Sequence, residues 1–491
     1  MGSGRGNFRQ PLGMGRLRAD HRAMTDAALQ LHPDRLLPAD PTTRGIARRL
    51  YASVRDLPII SPHGHVPPGW IAQDVPFGNP TSLLISPDHY VTRLLHAHGV
   101  PLDHLGVGGE PVDARAAWRA LCTHWAAFRG TPSRFWLESE LADIFGVTVR
   151  PSAATADAIY DQVAETLLRP DFRPRALLDR FGIEVLATTD APADDLAHHA
   201  TIRDDAAVRT RVLPTFRPDR YLEAGRSDWP ALVDALGAVA DIDTSGYKGF
   251  IAALEDRRRY FVAHGAVSAD HSHTDVDTTP LDQAEAERIF TAARAGAATP
   301  DEATALRRHL LLEMARMSVE DGLVMTLHPG VHRNHHGPTH HRFGADVGAD
   351  IPVAVEFTRG LQPLLSRYGT AAGFHLVLFT LDETVFSREV APLAGFYPSV
   401  YAGAPWWFLD APEAIRRYRA AVTETAGFGR TSGFIDDTRA FCSIPARHDM
   451  SRRLDCGYLA ELVATHRLDE DEAFATAHDL VAVNPKVAFK L

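Results

Sequence analysis

Two histidines separated by one residue, His63 and His65, are candidate metal ligands. They follow a short apolar run at residues 57–60, which is typical of a buried strand of a parallel sheet. Side chains at positions i and i+2 of a strand point the same way, so two imidazoles can converge on one divalent cation. The chain has 25 histidines, and roughly one His-x-His pair is expected by chance. A turn with two solvated histidines is therefore the alternative.

A carboxylate and a loop rich in His and Arg follow two later apolar runs. Asp437 comes after residues 433–435, where a carboxylate at the end of a barrel strand would face the active site. It could complete a His-His-Asp metal set or act as a base, although a helix N-cap is the alternative. His328 and Arg333 lie in a loop after residues 323–326, and such loops often carry function. The alternative for them is a solvated polar loop.

Three further segments offer polar or aromatic groups that could line a ligand pocket. His89 and Tyr90 can transfer protons or donate hydrogen bonds, and Arg93 lies one helical turn further on. Arg217 follows another apolar run, and a guanidinium can bind a carboxylate through two hydrogen bonds. Trp406 offers aromatic area for stacking on a sugar. The structural alternatives are a capped helix start, an ion pair and core packing, respectively.

The segments that would position these residues are short apolar runs alternating with helices. The runs end at residues 60, 187, 214, 326, 379 and 435, and helices are predicted at residues 282–294, 300–321 and 411–426. Strands that alternate with helices predict an α/β fold with a parallel sheet. Six or more such units over this length favour a closed TIM-like barrel, and an open doubly wound sheet is the alternative.

Residues 66–173 do not follow this alternation. They contain helical segments at residues 90–98 and 114–128, so we interpret the region as a helical insertion after the first strand that caps the barrel mouth. A helix at residues 41–57 leads into that strand. We expect residues 1–39 to form an N-terminal extension that could be flexible, and residues 40–491 to form the catalytic domain.

The composition argues against several classes of function. The formal net charge is −11, and Lys and Arg are scattered singly, so no nucleic-acid-binding surface is expected. No apolar stretch is long enough to span a membrane, and none follows the N-terminal arginines as a secretory signal requires. The three cysteines have neither metal-binding spacing nor a disulfide framework, which fits a reducing cytosol. We therefore expect a cytoplasmic protein.

Taken in order, the motifs resemble those of the uronate (glucuronate) isomerase family of the amidohydrolase superfamily. Each motif is short, but their joint order is specific, and the likeness runs from about residue 40 to the C-terminus. Where the family often has Asp, two residues before the first histidine, this chain has Ser61. The matching motifs are His63-Gly64-His65, Asp88-His89-Tyr90, Thr188-Thr189-Asp190, Leu213-Pro214-Thr215-Phe216-Arg217-Pro218-Asp219, His328 with Arg333-Asn334, Trp406-Trp407-Phe408 and Asp437-Thr438-Arg439.

The resemblance implies a distorted (β/α)8 barrel that acts on a small sugar acid, and we expect a homo-oligomer. The implied reaction interconverts an aldose-type uronate and its ketose form, either D-glucuronate and D-fructuronate or D-galacturonate and D-tagaturonate. The resemblance also implies one divalent metal, usually zinc, held by His63, His65 and Asp437. The substrate pocket that it implies is lined by His89, Tyr90, His328, Arg439 and Arg217.

This reaction removes the proton on C2 and delivers one to C1, so a developing enediolate must be stabilised. We hypothesise that Asp437 carries the proton or acts as a metal-linked base. Tyr90 and His89 would then handle hydroxyl protons. Arg439, together with Arg217 or Arg333, would bind the sugar carboxylate.

Two other functions remain open on the same fold. One is a metal-dependent hydrolase, but many of these hold a second metal through a lysine at a mid-barrel strand end, and residues 266–270 contain none. Residues 379–381 offer no further histidine either. The other is a non-catalytic sugar-acid-binding barrel, because a fold alone does not give function.

Overall fold

The computed structural model describes residues 28–109 and 111–491, and these contain two parallel sheets and one small hairpin. The first sheet has the strand order β1-β2-β3, the second has β4-β5-β8-β9, and β6 pairs with β7 in an antiparallel manner. The strands are β1 (Ile59–Ser61), β2 (Ile183–Ala187), β3 (Arg211–Leu213), β4 (Ser268–His271), β5 (Val324–Leu327), β6 (Val331–His332), β7 (Ile351–Pro352), β8 (Leu376–Leu378) and β9 (Val400–Ala402).

The strands of both large sheets are parallel and deeply buried. Ile60 of β1 pairs with Val185 of β2, and Met325 of β5 pairs with Leu376 of β8. These side chains are at most 3% exposed, as expected of parallel strands whose faces are both covered. The α/β fold with parallel sheets that the sequence predicts is therefore confirmed.

Isolated contacts extend the parallel arrangement beyond the two sheets. Phe216, just after β3, bridges β4, and its N–H donates to Ser268 O at 3.1 Å. Thr431 bridges β9, and the N–H of His65 donates to Thr438 O at 3.0 Å. Within residues 28–109 and 111–491, these contacts do not form one continuous closed ladder.

The strand predicted at residues 433–435 does not form, which corrects the sequence-based prediction. Gly433 has φ +71°, and this left-handed backbone is incompatible with an extended strand. A Cβ atom at this position would lie 2.6 Å from Pro485 Cδ, so the close approach of the C-terminal segment also requires glycine.

Two strands of the parallel sheets, β4 and β9, were not predicted, and neither was the β6–β7 hairpin. The β4 strand contains the buried polar residues Asp270 and His271, so no apolar run marks it in the sequence. The β9 strand has three residues, Val400–Ala402, and the sequence analysis did not identify it.

Helices cover the sheets and connect the strands. The helix predicted at residues 300–321 has those bounds because Thr299 and Glu302 form a capping box at its start. Gly322, with φ +82°, ends it. The helices are α1 (Pro41–Val54), α2 (Pro68–Gln73), α3 (Pro80–Leu84), α4 (His89–Ala97), α5 (Ala114–Thr123), α6 (Pro132–Ser139), α7 (Ala156–Leu167), α8 (Pro174–Arg180), α9 (Ala197–Arg203), α10 (Asp219–Leu222), α11 (Trp229–Ala240), α12 (Tyr247–Ala263), α13 (Gln283–Arg294), α14 (Pro300–Asp321), α15 (Gly337–Phe343), α16 (Gln362–Tyr368), α17 (Ala391–Phe396), α18 (Pro412–Ala426), α19 (Ile444–Ala464), α20 (Glu470–His478) and α21 (Asn484–Phe489).

The long segment between β1 and β2 is helical and has a core of its own. Helices α2 to α8 lie in it, and Trp118, Leu121 and Phe128 are among its fully buried side chains. Helix α4 begins at the wall of the cavity described below, so this segment contributes directly to the site.

Residues 28–39 pack against the rest of the chain. The N–H of Leu29 donates to Thr148 O at 2.8 Å, and Arg35 pairs with Asp449 at 3.0 Å. The remainder of the predicted extension, residues 1–27, lies outside the described residues. None of the helices α1 to α21 is long and apolar enough to cross a membrane.

Candidate active site

A cavity of about 460 Å³ lies where the carboxyl ends of the parallel strands meet. Residues that follow β1, β3, β5 and β9 line it, together with a residue of β4 and the first residues of α4. A site at the carboxyl ends of parallel strands is the usual arrangement in α/β enzymes. Ten predicted site residues line the cavity, namely His63, His65, His89, Tyr90, Arg217, His328, Arg333, Trp406, Asp437 and Arg439.

The segment after β1 brings two imidazoles to one carboxylate. His63 Nε2 lies 3.4 Å and His65 Nε2 lies 2.9 Å from Asp437 Oδ1. The backbone hydrogen bond from His65 to Thr438 fixes this segment beside Asp437. Asp437 has φ +41°, a strained backbone for a residue with a Cβ, and such strain is often stored at functional sites.

His328 adds a third imidazole to this group. One ligand atom each of His63, His328 and Asp437 lie within 4.8 Å of one another. The rings of His63 and His328 stack with centroids 4.6 Å apart. The buried His328 Nε2 has no hydrogen-bond partner among the described residues. The predicted ligands His63, His65 and Asp437 are thus brought together, and His328 joins them.

Asp270 orients His328 from behind. Its Oδ1 accepts hydrogen bonds from His328 Nδ1 at 2.6 Å and from Thr326 Oγ1 at 2.7 Å. A proton held on Nδ1 by this carboxylate leaves the lone pair of Nε2 free for a ligand. Arg217 also approaches, with a guanidinium nitrogen 3.5 Å from Asp270 Oδ2.

The two buried carboxylates at the centre of the site are ionised. Burial opposes the charge on Asp437, but His63 and His65 outweigh it and hold the pKa of Asp437 well below its usual range. Burial also opposes the charge on Asp270, but neighbouring groups, His328 foremost, hold the pKa of Asp270 well below its usual range. Two negative charges therefore face the three imidazoles.

Helix α4 presents His89 and Tyr90 at the cavity wall. Asp88 caps the helix by accepting a hydrogen bond from the Tyr90 N–H at 2.9 Å, and the two rings stack with centroids 4.9 Å apart. Burial, reinforced by Arg439, lowers the pKa of His89 to about 3, so its imidazole is neutral. Burial raises the pKa of Tyr90, so its phenol keeps its proton.

A buried cation, Arg447, packs against the Tyr90 ring. The Arg447 guanidinium carbon lies 4.9 Å from the centre of the Tyr90 ring and 3.6 Å from that of Trp136. Arg447 also donates a hydrogen bond to Asp410 at 2.6 Å. Burial raises the pKa of Asp410 to about 7 in spite of this pairing.

Two arginines at the cavity wall share one carboxylate. Asp346 Oδ2 lies 2.9 Å from an Arg439 nitrogen, and Asp346 Oδ1 lies 3.4 Å from an Arg333 nitrogen. Arg217 has two carboxylates of its own, because it donates to Asp219 at 2.8 Å and lies 3.5 Å from Asp270 Oδ2. The charge of Arg217 is therefore balanced by neighbouring residues.

Trp406 and Arg93 have different environments. Trp406 lines the cavity with its ring centroid 4.8 Å from that of His328. Arg93 does not line the cavity, and its guanidinium packs 4.5 Å above the Phe408 ring. The geometry therefore does not support the predicted contact of Arg93 with substrate, because its guanidinium packs on Phe408 and is absent from the cavity lining.

Sequence reasoning gave no site role to Asp270 or Asp346, although Asp270-His271 was among the motifs that match the family. Asp270 lies on β4, whose polar sequence gave no apolar run to mark it. No local signal could have identified Asp346, because its partners Arg333 and Arg439 are 13 and 93 positions away in the sequence.

The sequence matches the glucuronate isomerase family over residues 42–489. The chain belongs to the glucuronate isomerase family. The resemblance that the motifs indicated is thus confirmed, and the cavity lies within the matched region.

Relatives support the family assignment over nearly the whole chain. A uronate isomerase of Cutibacterium acnes is 55% identical over 471 residues, which cover 95% of this chain and 100% of the relative. A uronate isomerase of Rhizorhabdus wittichii is 54% identical over 468 residues, with 95% and 100% covered. This glucuronate isomerase family member therefore shares the full length of these relatives.

Solved structures of the family have the same fold. The crystal structure of a glucuronate isomerase from Caulobacter crescentus superposes with a TM-score of 0.92 at 46% identity, covering 94% of this chain and 98% of the other. A uronate isomerase from Thermotoga maritima has a TM-score of 0.88 at 28% identity, covering 94% and 99%.

Proposed function

We propose that this chain interconverts an aldose-type uronate and its ketose form, either D-glucuronate and D-fructuronate or D-galacturonate and D-tagaturonate. One observation carries the proposal: in a chain of this family, one cavity brings together a His-His-Asp group, a protonated tyrosine and the arginine pair Arg333 and Arg439. The reaction requires a group that takes the C2 proton, support for charge on oxygen and a contact for the carboxylate.

The residues fit one divalent metal, which we propose is zinc. Two imidazole nitrogens and a carboxylate oxygen are a donor set that Zn²⁺ accepts. The unpartnered, buried Nε2 of His328 supports this fit. The proposed ligands remain His63, His65 and Asp437, and His328 is a further candidate because one of its ring nitrogens lies within 4.8 Å of ligand atoms of His63 and Asp437. When bound, the metal supplies positive charge that stabilises negative charge on a substrate oxygen.

Asp437 and the residues of α4 would handle the protons. Asp437 is ionised, so its carboxylate can accept the proton from C2 and return it to C1. Tyr90 keeps its proton and can donate a hydrogen bond to a sugar oxygen on which charge develops. The neutral imidazole of His89 can both donate and accept, which suits a neighbouring hydroxyl group.

Arg439 and Arg333 are the proposed contacts for the sugar carboxylate. A guanidinium binds a carboxylate through paired hydrogen bonds, and both side chains line the cavity. Arg217 is the weaker candidate because Asp219 and Asp270 already balance its charge. Arg217 would instead position these carboxylates.

We also propose that the two parallel sheets are two arcs of one distorted (β/α)8 barrel. Phe216 links the arcs on one side, and the segment from Thr431 to Thr438 lies between β9 and β1 on the other. The enzyme is proposed to act in the cytoplasm as a homo-oligomer, with a small sugar acid as its substrate.

Ketose formation from D-glucuronate and D-galacturonate tests the proposal. Proton NMR in D2O reports both the ketose and the loss of the C2 proton. The matched control is Asp437→Asn, which keeps the shape of the side chain and should form no ketose. A folded, metal-loaded protein that forms ketose from neither uronate would refute the proposal. Two tightly held metals per chain would favour a hydrolase.

A further inference from the structure

Asp346 is a carboxylate of the protein itself that lies between the two arginines proposed to bind the substrate. One of its oxygens faces Arg439 at 2.9 Å and the other faces Arg333 at 3.4 Å. Burial opposes its charge, but Arg439 and Arg333 outweigh burial and lower the pKa of Asp346 to about 2. The side chain is 42% exposed, so its charge also faces a ligand that enters the cavity.

The backbone around Asp346 is tied to the rest of the protein. Asn334 N–H donates to Asp350 Oδ1 at 2.7 Å, and His335 N–H donates to Ala349 O at 2.8 Å. Gly348 has φ +89° and packs so closely that an added Cβ would lie 2.9 Å from Arg93 Cβ. These contacts hold the negative charge of Asp346 at a fixed place beside the arginine pair.

Arg333 does not depend on Asp346 for its position. It donates to Ser272 Oγ at 3.0 Å, its guanidinium lies 5.1 Å from the centre of the Trp407 ring, and Asp350 is 3.6 Å away. The role of Asp346 therefore goes beyond holding this arginine. What Asp346 adds is a fixed negative charge at the contact point.

We propose that Asp346 is a specificity-determining residue that selects a singly charged carboxylate over a doubly charged phosphate at the Arg333–Arg439 contact. The inference rests on the proposed function, because it takes this arginine pair as the carboxylate subsite. Coulomb repulsion from a fixed negative charge scales with the charge of the ligand, so a dianion is repelled about twice as strongly as a monoanion. Both ligands gain from the arginines, but Asp346 reduces the gain of the dianion more.

Calorimetric binding of two sugars that differ at C6 tests this inference. D-Glucuronate carries a carboxylate at C6, and D-glucose 6-phosphate carries a phosphate that is a dianion at pH 8. In Asp346→Asn, the affinity for the phosphate should rise about tenfold relative to the affinity for the uronate. Asp346→Glu keeps the charge and should keep the wild-type ratio.

Asp103→Asn is the matched control. Asp103 pairs at 2.6 Å with Arg342 of α15, a few residues before Asp346 in the sequence, and neither residue lines the cavity. This variant removes a carboxylate that contacts α15, but it should leave the affinity ratio unchanged.

Two results would overturn the inference. If the ratio of phosphate to uronate affinity in Asp346→Asn stays within twofold of wild type, the charge of Asp346 does not discriminate between the two ligands. If both affinities fall equally, Asp346 only holds Arg439 in place. A wild-type protein that binds D-glucuronate without forming ketose would refute the proposed reaction, while the ratio would still decide the role of Asp346. A protein that binds no sugar acid would refute both.

Discussion

Replacement of Arg447 by methionine tests whether a buried cation supports Tyr90. Arg447 is fully buried, donates to Asp410 at 2.6 Å and to Ser443 Oγ at 2.9 Å, and packs 3.6 Å from the centre of the Trp136 ring. Methionine is an unbranched apolar side chain that adapts to the space left by arginine. The change therefore removes the charge and the donors, and it leaves the Asp410 carboxyl group buried without its partner.

The loss of stability should increase with pH because of Asp410. Its pKa in the folded protein is about 7, raised from the usual 3.8. A raised folded pKa stabilises the protein fully below about pH 4, and this contribution is lost as the pH rises to 7. In Arg447→Met no cation opposes the effect of burial, so the pKa of Asp410 should lie above 7. In this variant the free energy of unfolding then continues to fall above pH 7, by about 1.4 kcal/mol per pH unit, until the pH reaches the new pKa of Asp410.

These effects give different losses at two pH values. At pH 6, the missing charged hydrogen bonds and cation–π contacts should lower the free energy of unfolding by about 2–4 kcal/mol. At pH 9, the loss of unfolding free energy in the variant should be greater than at pH 6 by up to ~3 kcal/mol. The reason is that the unpaired Asp410 carboxyl group must either ionise while buried or stay protonated at a pH above its usual pKa. Urea denaturation at both pH values measures this difference.

Kinetics of the same variant show whether Tyr90 depends on Arg447. A shifted Tyr90 ring should lower kcat by about tenfold or more, since small misplacements of reacting groups are costly. The matched control is Arg419→Met, which breaks a buried pair with Asp455 at 2.7 Å away from the cavity and should destabilise the protein without changing kcat. Equal losses of stability at pH 6 and pH 9, or an unchanged kcat in Arg447→Met, would refute the reasoning.

Three further substitutions test the cavity. Asp437→Asn should abolish ketose formation while circular dichroism stays native, and activity within tenfold of wild type would remove this carboxylate from the chemistry. Asp270→Asn should weaken metal binding by about 10–100-fold, because His328 loses the partner that fixes its tautomer. Competition with a chelator measures this, and unchanged affinity would contradict it. Trp406→Ala should raise KM more than it lowers kcat, and a changed kcat alone would exclude a substrate-stacking role.

The parallel α/β fold could be predicted because its signals are local. An apolar run such as the one before His63 marks a buried strand, and the capping box at Thr299 marks a helix start. The segment at residues 433–435 misled the prediction because its apolar side chains gave no sign that Gly433 adopts a left-handed backbone. That conformation depends on packing against Pro485, which no local window contains.

The part of the site that lies just after strands could be predicted, because the carboxyl ends of parallel strands lie on the same side of the sheet. Polar residues placed just after apolar runs, such as His65 and Arg217, reach one cavity because parallel strands end on the same side. The same reasoning did not apply to Arg93, because Arg93 lies on a helix and not at a strand end. Three positions beyond Tyr90, its side chain packs on Phe408 instead of lining the cavity. Asp346 escaped prediction because only the folded loop brings it to its arginines.

Carboxylates alternate with histidine and arginine side chains around the cavity, and this arrangement explains why single motifs carried little information. Arg217, after β3, faces Asp270 of β4, which in turn faces His328 after β5. Asp437, near the C-terminus, faces His63 after β1. Asp270, His63 and His328 are buried and Arg217 is half-buried, and a polar group away from solvent is tolerated only when a neighbouring strand end supplies its partner. The chemistry of this site is therefore a property of adjacent strands, so the order of the motifs along the chain was more informative than any one of them.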